Sequence, residues 1–257
     1  MAEKSIFDLS GKVALITGGG SGIGQAYCEA MAEFGADVAC SDIVEQRAQE
    51  TVRLIDKFGH RAIAIKADAS RQDEIEYMVN RTVKELGKLD IVFCNAGITI
   101  PYKRIHEVPV EDWDRLMVLN LRGVFLLMQA ALRVMVKQKS GCIISTASIA
   151  GLGTGHKIAN LATYSAAKAG VIALTRNAAV EYGKDGIRVN AIAPGHHRTS
   201  LISPEIRDER EELIVRNTPL GRVGMPEDLK GLAVWLASDA SSYVTGQIIV
   251  QDGGMMA

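Results

Sequence analysis

The chain has 257 residues and a formal net charge of −1, with 47% apolar and 23% charged residues. These values are ordinary for a soluble globular protein of one or two domains. Because the charge is close to zero and both signs are interspersed, the composition argues against a nucleic-acid-binding protein or another binder of polyanions.

The cysteines and the N-terminus indicate the cellular compartment. Cys28, Cys40, Cys94 and Cys142 are far apart and form no Cys-x-x-Cys pair, which is typical of reduced core thiols in an intracellular protein. The opening stretch "MAEKSIFDLSGKVALITGGG" lacks the apolar segment of a signal peptide, and no run approaches 18 apolar residues. We therefore expect a cytoplasmic protein that does not bind membranes.

Short, β-branched runs recur along the chain and predict strands that are buried on both faces of a parallel sheet, because they are nearly continuous in apolar residues rather than alternating. The runs are "KVALITG", "ADVACSD", "RAIAIKAD", "LDIVFCNAG", "GCIISTAS", "IRVNAIAPG" and "QIIVQDGG".

Longer segments with helical periodicity lie between the runs. Three of them, 25–34, 44–58 and 73–86, are each followed directly by a glycine, the usual residue just beyond a helix C-terminus. Alternating strands and helices predict an α/β fold, a single-domain, Rossmann-type, doubly wound parallel β-sheet of about seven strands with helices on both faces. The polar and charged segment 199–216 interrupts this pattern, and either a solvated helix or a lid over a site fits it.

The first strand runs into "TGGGSGIG", in which Gly18, Gly22 and Gly24 occupy a strand-to-helix turn. Glycines at such a turn let the backbone bend sharply and approach a pyrophosphate at the helix N-terminus. Asp42 ends the second strand, where a carboxylate accepts hydrogen bonds from a ribose and repels a 2′-phosphate. Since no Arg or Lys flanks Asp42 or lies in the turn, the pattern favours NAD over NADP.

Further polar residues follow the third, fourth and fifth strands. Asp68 and the segment 95–97 ("NAG") lie where open parallel sheets bind ligands, although turn chemistry alone explains both. Ser148 follows the fifth strand, and Tyr164 and Lys168 stand four residues apart in "TYSAAKAG". Because residues i and i+4 share a helix face, the Lys168 ammonium is expected to lower the pKa of Tyr164 and make it a usable base, while Ser148 hydrogen-bonds the substrate oxygen.

Over nearly its whole length the sequence resembles the short-chain dehydrogenase/reductase family, on its "TGxxxGxG" turn, "NAG", a downstream Asn120, Ser148, "YxxxK" and "PG" in that order. The resemblance implies a nicotinamide-dependent homotetramer that interconverts secondary alcohols and ketones. It makes Tyr164 the general acid/base, assisted by Lys168, with Ser148 orienting the substrate and Asn120 holding a water. The cofactor contacts that it implies are Gly18, Ser21, Gly22, Ile23, Gly24, Asp42, Asp68, Ala69, Asn95, Ala96, Gly97, Tyr164, Lys168, Pro194, Gly195 and Thr199.

Two features depart from the family pattern and bear on the substrate. The segment between Ser148 and Tyr164 has 15 residues, longer than is usual in the family, and "HHR" (196–198) follows the "PG" directly. His156, Lys157, His197 and Arg198 therefore become candidate contacts for an anionic or highly polar substrate, although solvent-facing side chains fit as well. Adjacent histidines lack the spacing of a helical metal site, so no metal is expected.

Three other functions remain open on the sequence alone. They are an NADPH-dependent carbonyl reductase, a sugar-nucleotide epimerase or dehydratase that reuses the Tyr–Lys pair, and a non-catalytic nucleotide-binding protein on the same fold. The substrate itself, whether a sugar acid, polyol, hydroxyacyl thioester or cyclic alcohol, is not specified by the motifs.

Overall fold

The computed structural model describes residues 5–153, 160–199 and 204–257. All seven predicted strands are present and pair in parallel in one sheet of order β3-β2-β1-β4-β5-β6-β7, which confirms the predicted fold class. Their bounds are β1 Val13–Thr17, β2 Asp37–Asp42, β3 Ala62–Lys66, β4 Ile91–Cys94, β5 Gly141–Thr146, β6 Ile187–Pro194 and β7 Ile248–Gln251.

The helices in the described ranges are α1 Gly22–Glu33, α2 Glu45–Ile55, α3 Gln72–Leu86, α4 Val110–Met117, α5 Val124–Gln138, α6 Ala162–Tyr182, α7 Pro204–Asn217 and α8 Lys230–Ala237. Two of the predicted helix C-termini are confirmed: Gly87 caps α3, and Gly59 caps the short 3₁₀ turn that extends α2. Segment 199–216 is largely α7, preceded by a stretch (200–203) outside the described residues.

Successive strand residues alternate between two apolar cores, one on each face of the sheet. In β1, Val13 and Leu15 pack with helices α3, α5 and α6, whereas Ala14 and Ile16 pack with α1, α2 and α8. Strands that are covered on both faces must be apolar throughout, which explains the continuous runs in the sequence. The four cysteines are buried and free, as expected for core thiols.

The segment Val110–Gln138 is long and apolar enough to cross a membrane by length and composition, and half of its most apolar window is buried inside the protein. It comprises α4, a π-helical turn (Val118–Gly123) and α5. The buried residues of α5 belong to the core on one face of the sheet, so the apolar character of this helix is explained by packing against that face.

The chain reverses its direction of winding between β1 and β4, which are neighbours in the sheet but not in sequence. Ligands of open α/β sheets bind in the crevice that this reversal creates at the carboxyl ends of the strands. The fold therefore brings the ends of β1, β2, β4 and β5 to one edge.

Candidate active site

A cavity of about 550 Å³ opens at that edge, a volume within the usual range for ligand and cofactor sites. Every residue of the expected cofactor set lines it, from the glycine turn at one end to Tyr164, Lys168 and Thr199 at the other. Ser148 lines it as well, so the fold brings the predicted nucleotide and catalytic residues together. The fourth predicted catalytic residue, Asn120, does not line the cavity, whereas its neighbour Leu119 does.

The glycine turn is shaped by close contacts between backbone segments. A Cβ atom on Gly24 would lie 2.1 Å from the carbonyl oxygen of Gly18, so only glycine allows α1 to leave β1 at this angle. Across the cavity, Thr199 lies 3.4 Å from the position of a Cβ on Gly22. An open glycine turn at a helix N-terminus, faced by a second loop, fits the pyrophosphate of a nicotinamide dinucleotide.

Asp42 lies at the end of β2 with both carboxylate oxygens hydrogen-bonded to the backbone. Oδ2 accepts from the N–H of Gly20 at 3.1 Å and Oδ1 accepts from that of Val44 at 2.9 Å. The side chain is buried, yet it lines the cavity, where it fits the hydroxyl groups of a ribose. The fold also brings Arg47, in the first turn of α2, to the same wall, although no Arg or Lys lies directly beside Asp42 in the sequence.

Asn95 connects three strand ends. Its Nδ2 donates to the carbonyl oxygen of Thr17 at 2.9 Å, and its Oδ1 accepts from the hydroxyl of Thr146 at 3.0 Å. The Thr17 hydroxyl in turn accepts from the N–H groups of Asn95 and Ala96. This network fixes the floor of the cavity, so the "NAG" segment holds the ends of β1, β4 and β5 together.

Ser148 and Tyr164 both line the cavity, and the Ser148 hydroxyl lies close enough to Tyr164 to favour its phenolate form. Ser148 precedes a short 3₁₀ turn and its Oγ also accepts from the N–H of Ala150 at 3.1 Å. The turn lies directly on α6, because a Cβ on Gly151 would be only 2.7 Å from the backbone carbon of Lys168. The absence of a side chain at Gly151 therefore allows Ser148 to reach the helix that carries Tyr164.

Lys168 is 3% exposed, and its Nζ donates a 2.6 Å hydrogen bond to the carbonyl oxygen of Thr146. The same Nζ lies 5.6 Å from the centroid of the Tyr164 ring. Burial lowers the pKa of Lys168 to about 8, because removing an ammonium from water disfavours its charged form.

The pKa of Tyr164 differs from the sequence expectation. Burial raises it to about 12, and the nearby Ser148 hydroxyl only partly opposes this effect. The prediction of a lowered pKa is wrong for these residues, since the loss of hydration outweighs the favourable interactions of the phenolate. At neutral pH the phenol therefore carries its proton.

Asn120 lies in the π-helical turn between α4 and α5 and is fully buried. Its Oδ1 accepts from the N–H of Ile98 at 2.9 Å, and its Nδ2 donates to the carbonyl oxygen of Ile98 at 2.8 Å. The side chain thus pairs with the loop that follows β4 as a neighbouring strand would. Such π-helical turns are rare and frequent at functional sites.

Of the four candidate substrate residues, one lines the cavity, one does not, and two lie outside the described residues. His197 lines the cavity, but its Nδ1 lies 3.1 Å from the carbonyl oxygen of Gly195 and its ring packs against Gly224. Arg198 forms an ion pair with Glu211 of α7 and is not among the residues that line the cavity. His156 and Lys157 lie outside the described residues.

Several lining residues were not singled out from the sequence. They lie beyond the carboxyl ends of β2, β4 and β5 and include Ile43, Arg47, Ile98, Thr99, Tyr102, Ile149 and Leu161. The sequence could have indicated these residues by their position after the carboxyl ends of strands, where open α/β sheets bind ligands. Which loop side chains turn inward depends on the path of each loop, and no periodicity encodes it.

Comparison with known proteins identifies the family. Residues 18–256 match the family model described as enoyl-(acyl carrier protein) reductase. The chain is 42% identical over 246 residues to cis-4-hydroxycyclohexanecarboxylate dehydrogenase of Sinomonas cyclohexanicum, which covers 96% of this chain and 97% of that protein.

Two solved structures share the fold over nearly the full length. A short-chain type dehydrogenase/reductase from Mycobacterium marinum has a TM-score of 0.91, 42% identity and 98% coverage of both chains. A 7α-hydroxysteroid dehydrogenase complexed with NADH and 7-oxo glycochenodeoxycholic acid has a TM-score of 0.90 and 36% identity, and the match covers 99% of this chain and 98% of that one. The chain belongs to the short-chain dehydrogenase/reductase family, whose members bind a nicotinamide cofactor, and is an oxidoreductase of alcohol and ketone substrates.

Proposed function

We propose that this protein is an NAD-dependent dehydrogenase that interconverts a secondary alcohol and a ketone, with Tyr164 as the general acid/base. The observation that carries the proposal is the convergence of Ser148, Tyr164 and Lys168 on the cavity that also holds the glycine turn and Asp42. A protein that only bound a nucleotide would not need these three residues beside the nucleotide-binding end of the cavity.

In the direction of ketone reduction, the protonated Tyr164 hydroxyl donates its proton to the carbonyl oxygen, which becomes the alcohol. Ser148 donates a hydrogen bond to that oxygen as negative charge develops on it. The Lys168 ammonium stabilises the phenolate that remains. A bound nicotinamide supplies the hydride chemistry, and the protein supplies positioning and proton transfer. Alcohol oxidation uses the same groups in reverse, with the Tyr164 phenolate as the base.

Asn120 has a positioning role in this proposal. Both polar groups of its amide are paired with Ile98, and Ile98 and Thr99 line the cavity beside Tyr102. Asn120 therefore holds the loop after β4 against the substrate end of the site. The water that the family resemblance assigns to Asn120 would have to bind through its remaining lone pair or through neighbouring backbone groups.

NAD is the proposed physiological cofactor because Asp42 places a carboxylate at the adenosine end of the cavity. That carboxylate would accept hydrogen bonds from ribose hydroxyl groups. An NADPH-dependent carbonyl reductase is the second candidate, and Arg47 on the same wall is the observation that favours it. Parallel assays with NADH and NADPH separate the two.

A cyclic secondary alcohol with a polar or anionic substituent is the proposed substrate class. The catalytic end of the cavity combines apolar side chains, Ile98, Ile149 and Leu161, with the polar Tyr102 and His196. An aliphatic ring suits the first group, and a carboxylate or hydroxyl substituent suits the second. The similar dehydrogenase of S. cyclohexanicum is named for a hydroxycyclohexanecarboxylate, a compound of this type. Sugar acids, polyols and hydroxyacyl thioesters are the alternatives.

We propose further that segment 199–216 covers the substrate. Thr199 faces the glycine turn across the cavity, and the ion pair between Arg198 and Glu211 ties α7 to the loop that carries His196 and His197. On this proposal Arg198 acts on substrate affinity through the position of α7. Arg198→Ala is expected to raise KM for the substrate and to leave the affinity for NAD unchanged.

The experiment that tests the function measures NADH formation from NAD⁺ with a panel of secondary alcohols. The panel contains hydroxycyclohexanecarboxylates, unsubstituted cyclic alcohols, hydroxysteroids, sugar acids and 3-hydroxyacyl thioesters. Turnover of carboxylated cyclic alcohols well above that of unsubstituted ones supports the proposed class. If NAD⁺ binds and no alcohol is oxidised, while the matching ketones are reduced with NADPH, the reductase alternative is correct.

A further inference from the structure

A small second pocket adjoins the main cavity at its catalytic end. It lies between the loop that follows β4 and the start of α6, and Lys103 is among its lining residues. Four residues line both spaces: Thr99, Tyr102, Leu161 and Tyr164. The small pocket has a volume of about 10 Å³, close to the space that one water molecule needs. A single oxygen atom of a substrate fits a space of this size.

Two anchors fix the loop that carries Lys103. Asn120 pairs with both backbone groups of Ile98. Two residues further on, the side chain of Ile100 is 8% exposed and packs in a small apolar cluster with Ala167 of α6. These contacts hold the loop against the helix that carries the proposed general acid/base. The position of Lys103 at the catalytic end is therefore set by the fold.

Lys103 is partly buried, and within the described ranges it forms no hydrogen bond or ion pair. The next carboxylate along the loop, Glu107, accepts a hydrogen bond from the backbone N–H of Arg104 and lies 3.7 Å from Nε2 of His106. The Lys103 ammonium can thus bind an anion without first breaking an internal contact. Because the residue is partly buried, water screens such an ion pair less than at a fully exposed lysine.

The charged residues that line the two spaces are distributed unevenly. Among the described lining residues, the acidic ones are Asp42 and Asp68, which follow β2 and β3 at the nucleotide end. The lysines are Lys168 and Lys103, both at the catalytic end. Lys168 already donates to the carbonyl oxygen of Thr146. Lys103 is therefore the lysine available to a substrate, at an end of the site where no described lining carboxylate would repel an anion.

We propose that Lys103 binds the carboxylate of an anionic substrate, one oxygen of which enters the small pocket. The inference rests on the proposed function and narrows its substrate class. Tyr102 and His196 suit a carboxylate or a hydroxyl group alike, whereas an ammonium forms a stronger hydrogen bond with a charged acceptor. The enzyme should therefore select anionic secondary alcohols over neutral ones of the same shape. Lys103 has a role in substrate specificity and none in proton transfer.

The test measures ligand binding without turnover. With NAD⁺ bound, a ketone forms a dead-end complex, because neither molecule carries a hydride to transfer. Isothermal titration calorimetry of this complex compares 4-oxocyclohexanecarboxylate with its neutral isostere, 4-oxocyclohexanecarboxamide. In Lys103→Met the Kd for the carboxylate should rise about tenfold or more, while the Kd for the carboxamide changes less than about twofold. Lys103→Arg keeps the charge and should retain most of the affinity for the carboxylate.

Arg104→Met is the matched control. Arg104 is the next residue of the same loop, is exposed, and lines neither space. Its replacement removes one positive charge from the loop without removing the cation beside the small pocket. Both Kd values should stay within about twofold of the wild type, since interactions between exposed charges are weak.

The role of Lys103 is overturned if the wild type binds the carboxamide as tightly as the carboxylate, if Lys103→Met weakens both ketones equally, or if it leaves both Kd values unchanged. Steady-state kinetics separate these failures from a failure of the proposed function. If Lys103 has no effect but the wild type oxidises secondary alcohols, the proposed function stands. If the carboxylate binds through Lys103 and the ketone is reduced with neither NADH nor NADPH, the proposed function fails and the carboxylate site stands. If neither ketone binds and no alcohol is oxidised, both fail.

Discussion

The Lys168 ammonium donates a 2.6 Å hydrogen bond to the carbonyl oxygen of Thr146, the last residue of β5. This bond ties helix α6, which carries Tyr164 and Lys168, to the central sheet. Thr146 also donates through its hydroxyl to Asn95 at the end of β4. The position of the Lys168 charge beneath Tyr164 is therefore fixed by the ends of two strands.

Replacing Lys168 with Met should lower turnover without lowering the melting temperature. Turnover should fall by about 100-fold or more, because the Tyr164 phenolate loses its stabilising charge. The melting temperature at pH 7 should be equal to or higher than that of the wild type. Burial lowers the pKa of Lys168 from its ordinary value of 10.5 to about 8, so burying the charged ammonium costs roughly 3 kcal/mol of stability. Met carries no charge and removes this cost.

The difference in stability should depend on pH. Between about pH 8 and 10.5 the unfolded chain binds a proton at Lys168 that the folded chain has released, so the wild type gains stability relative to Lys168→Met as the pH rises through this window. Differential scanning calorimetry at pH 7 and pH 9 measures this. Lys184→Met, a change at an exposed lysine, should show no such dependence; a large loss of stability in Lys168→Met at pH 7 would contradict the account.

Alcohol oxidation should accelerate with pH. Because the pKa of Tyr164 is raised to about 12, the fraction of phenolate grows about tenfold per pH unit below that value. Single-turnover oxidation should follow this slope from pH 6 to 8 and level off above pH 8, where Lys168 loses its proton. Ketone reduction should be fastest below pH 8. If the single-turnover oxidation rate did not change from pH 6 to 8 while the chemical step was rate-limiting, Tyr164 would not be the base.

Gly151→Ala should impair catalysis without touching a catalytic side chain. The added methyl group would lie 2.7 Å from the backbone carbon of Lys168, so the turn that carries Ser148 must move away from α6. We expect kcat to fall at least about tenfold, with the substrate KM less affected. Gly183→Ala is the control, since a Cβ there meets nothing within 4 Å. Wild-type kcat in Gly151→Ala would show that the Ser148–Tyr164 contact is not required.

The expected homotetramer can be tested on the outer surfaces of α5 and α6. Phe125 is 45% exposed and Val180 is 85% exposed, and such side chains are typical of subunit interfaces when they cluster. Light scattering after size-exclusion chromatography should give four times the 27.7 kDa chain mass. Phe125→Glu and Val180→Glu should each reduce that mass, whereas Leu54→Glu on α2 should not. A monomeric wild type would refute the assembly.

The sheet and its helices could be predicted from sequence because their signals are local. The apolar runs marked every strand, and Gly59 and Gly87 marked helix ends where the structure has them. The site residues that lie at strand ends, such as Asp42 and Asn95, followed from the same pattern, since parallel strands present their carboxyl ends at one edge.

What could not be predicted depends on loop paths and on burial. Arg47 reaches Asp42 only because Gly20 leaves room for it, a contact between segments that no motif encodes. The pKa of Tyr164 depends on its removal from water, whereas the sequence showed only a lysine four residues away. Asn120 was identified by family resemblance, but its pairing with the backbone of Ile98 required the π-helical turn.

The most direct test of the central claim is the turnover of Tyr164→Phe, which removes a single oxygen atom from the cavity. With the best alcohol of the panel, kcat should fall by about 10²- to 10⁴-fold, while calorimetry should show NAD⁺ binding within about threefold of the wild type. Tyr182→Phe, at the C-terminal end of the same helix, should retain full activity. Wild-type turnover in Tyr164→Phe would show that another group moves the proton and would contradict the mechanism.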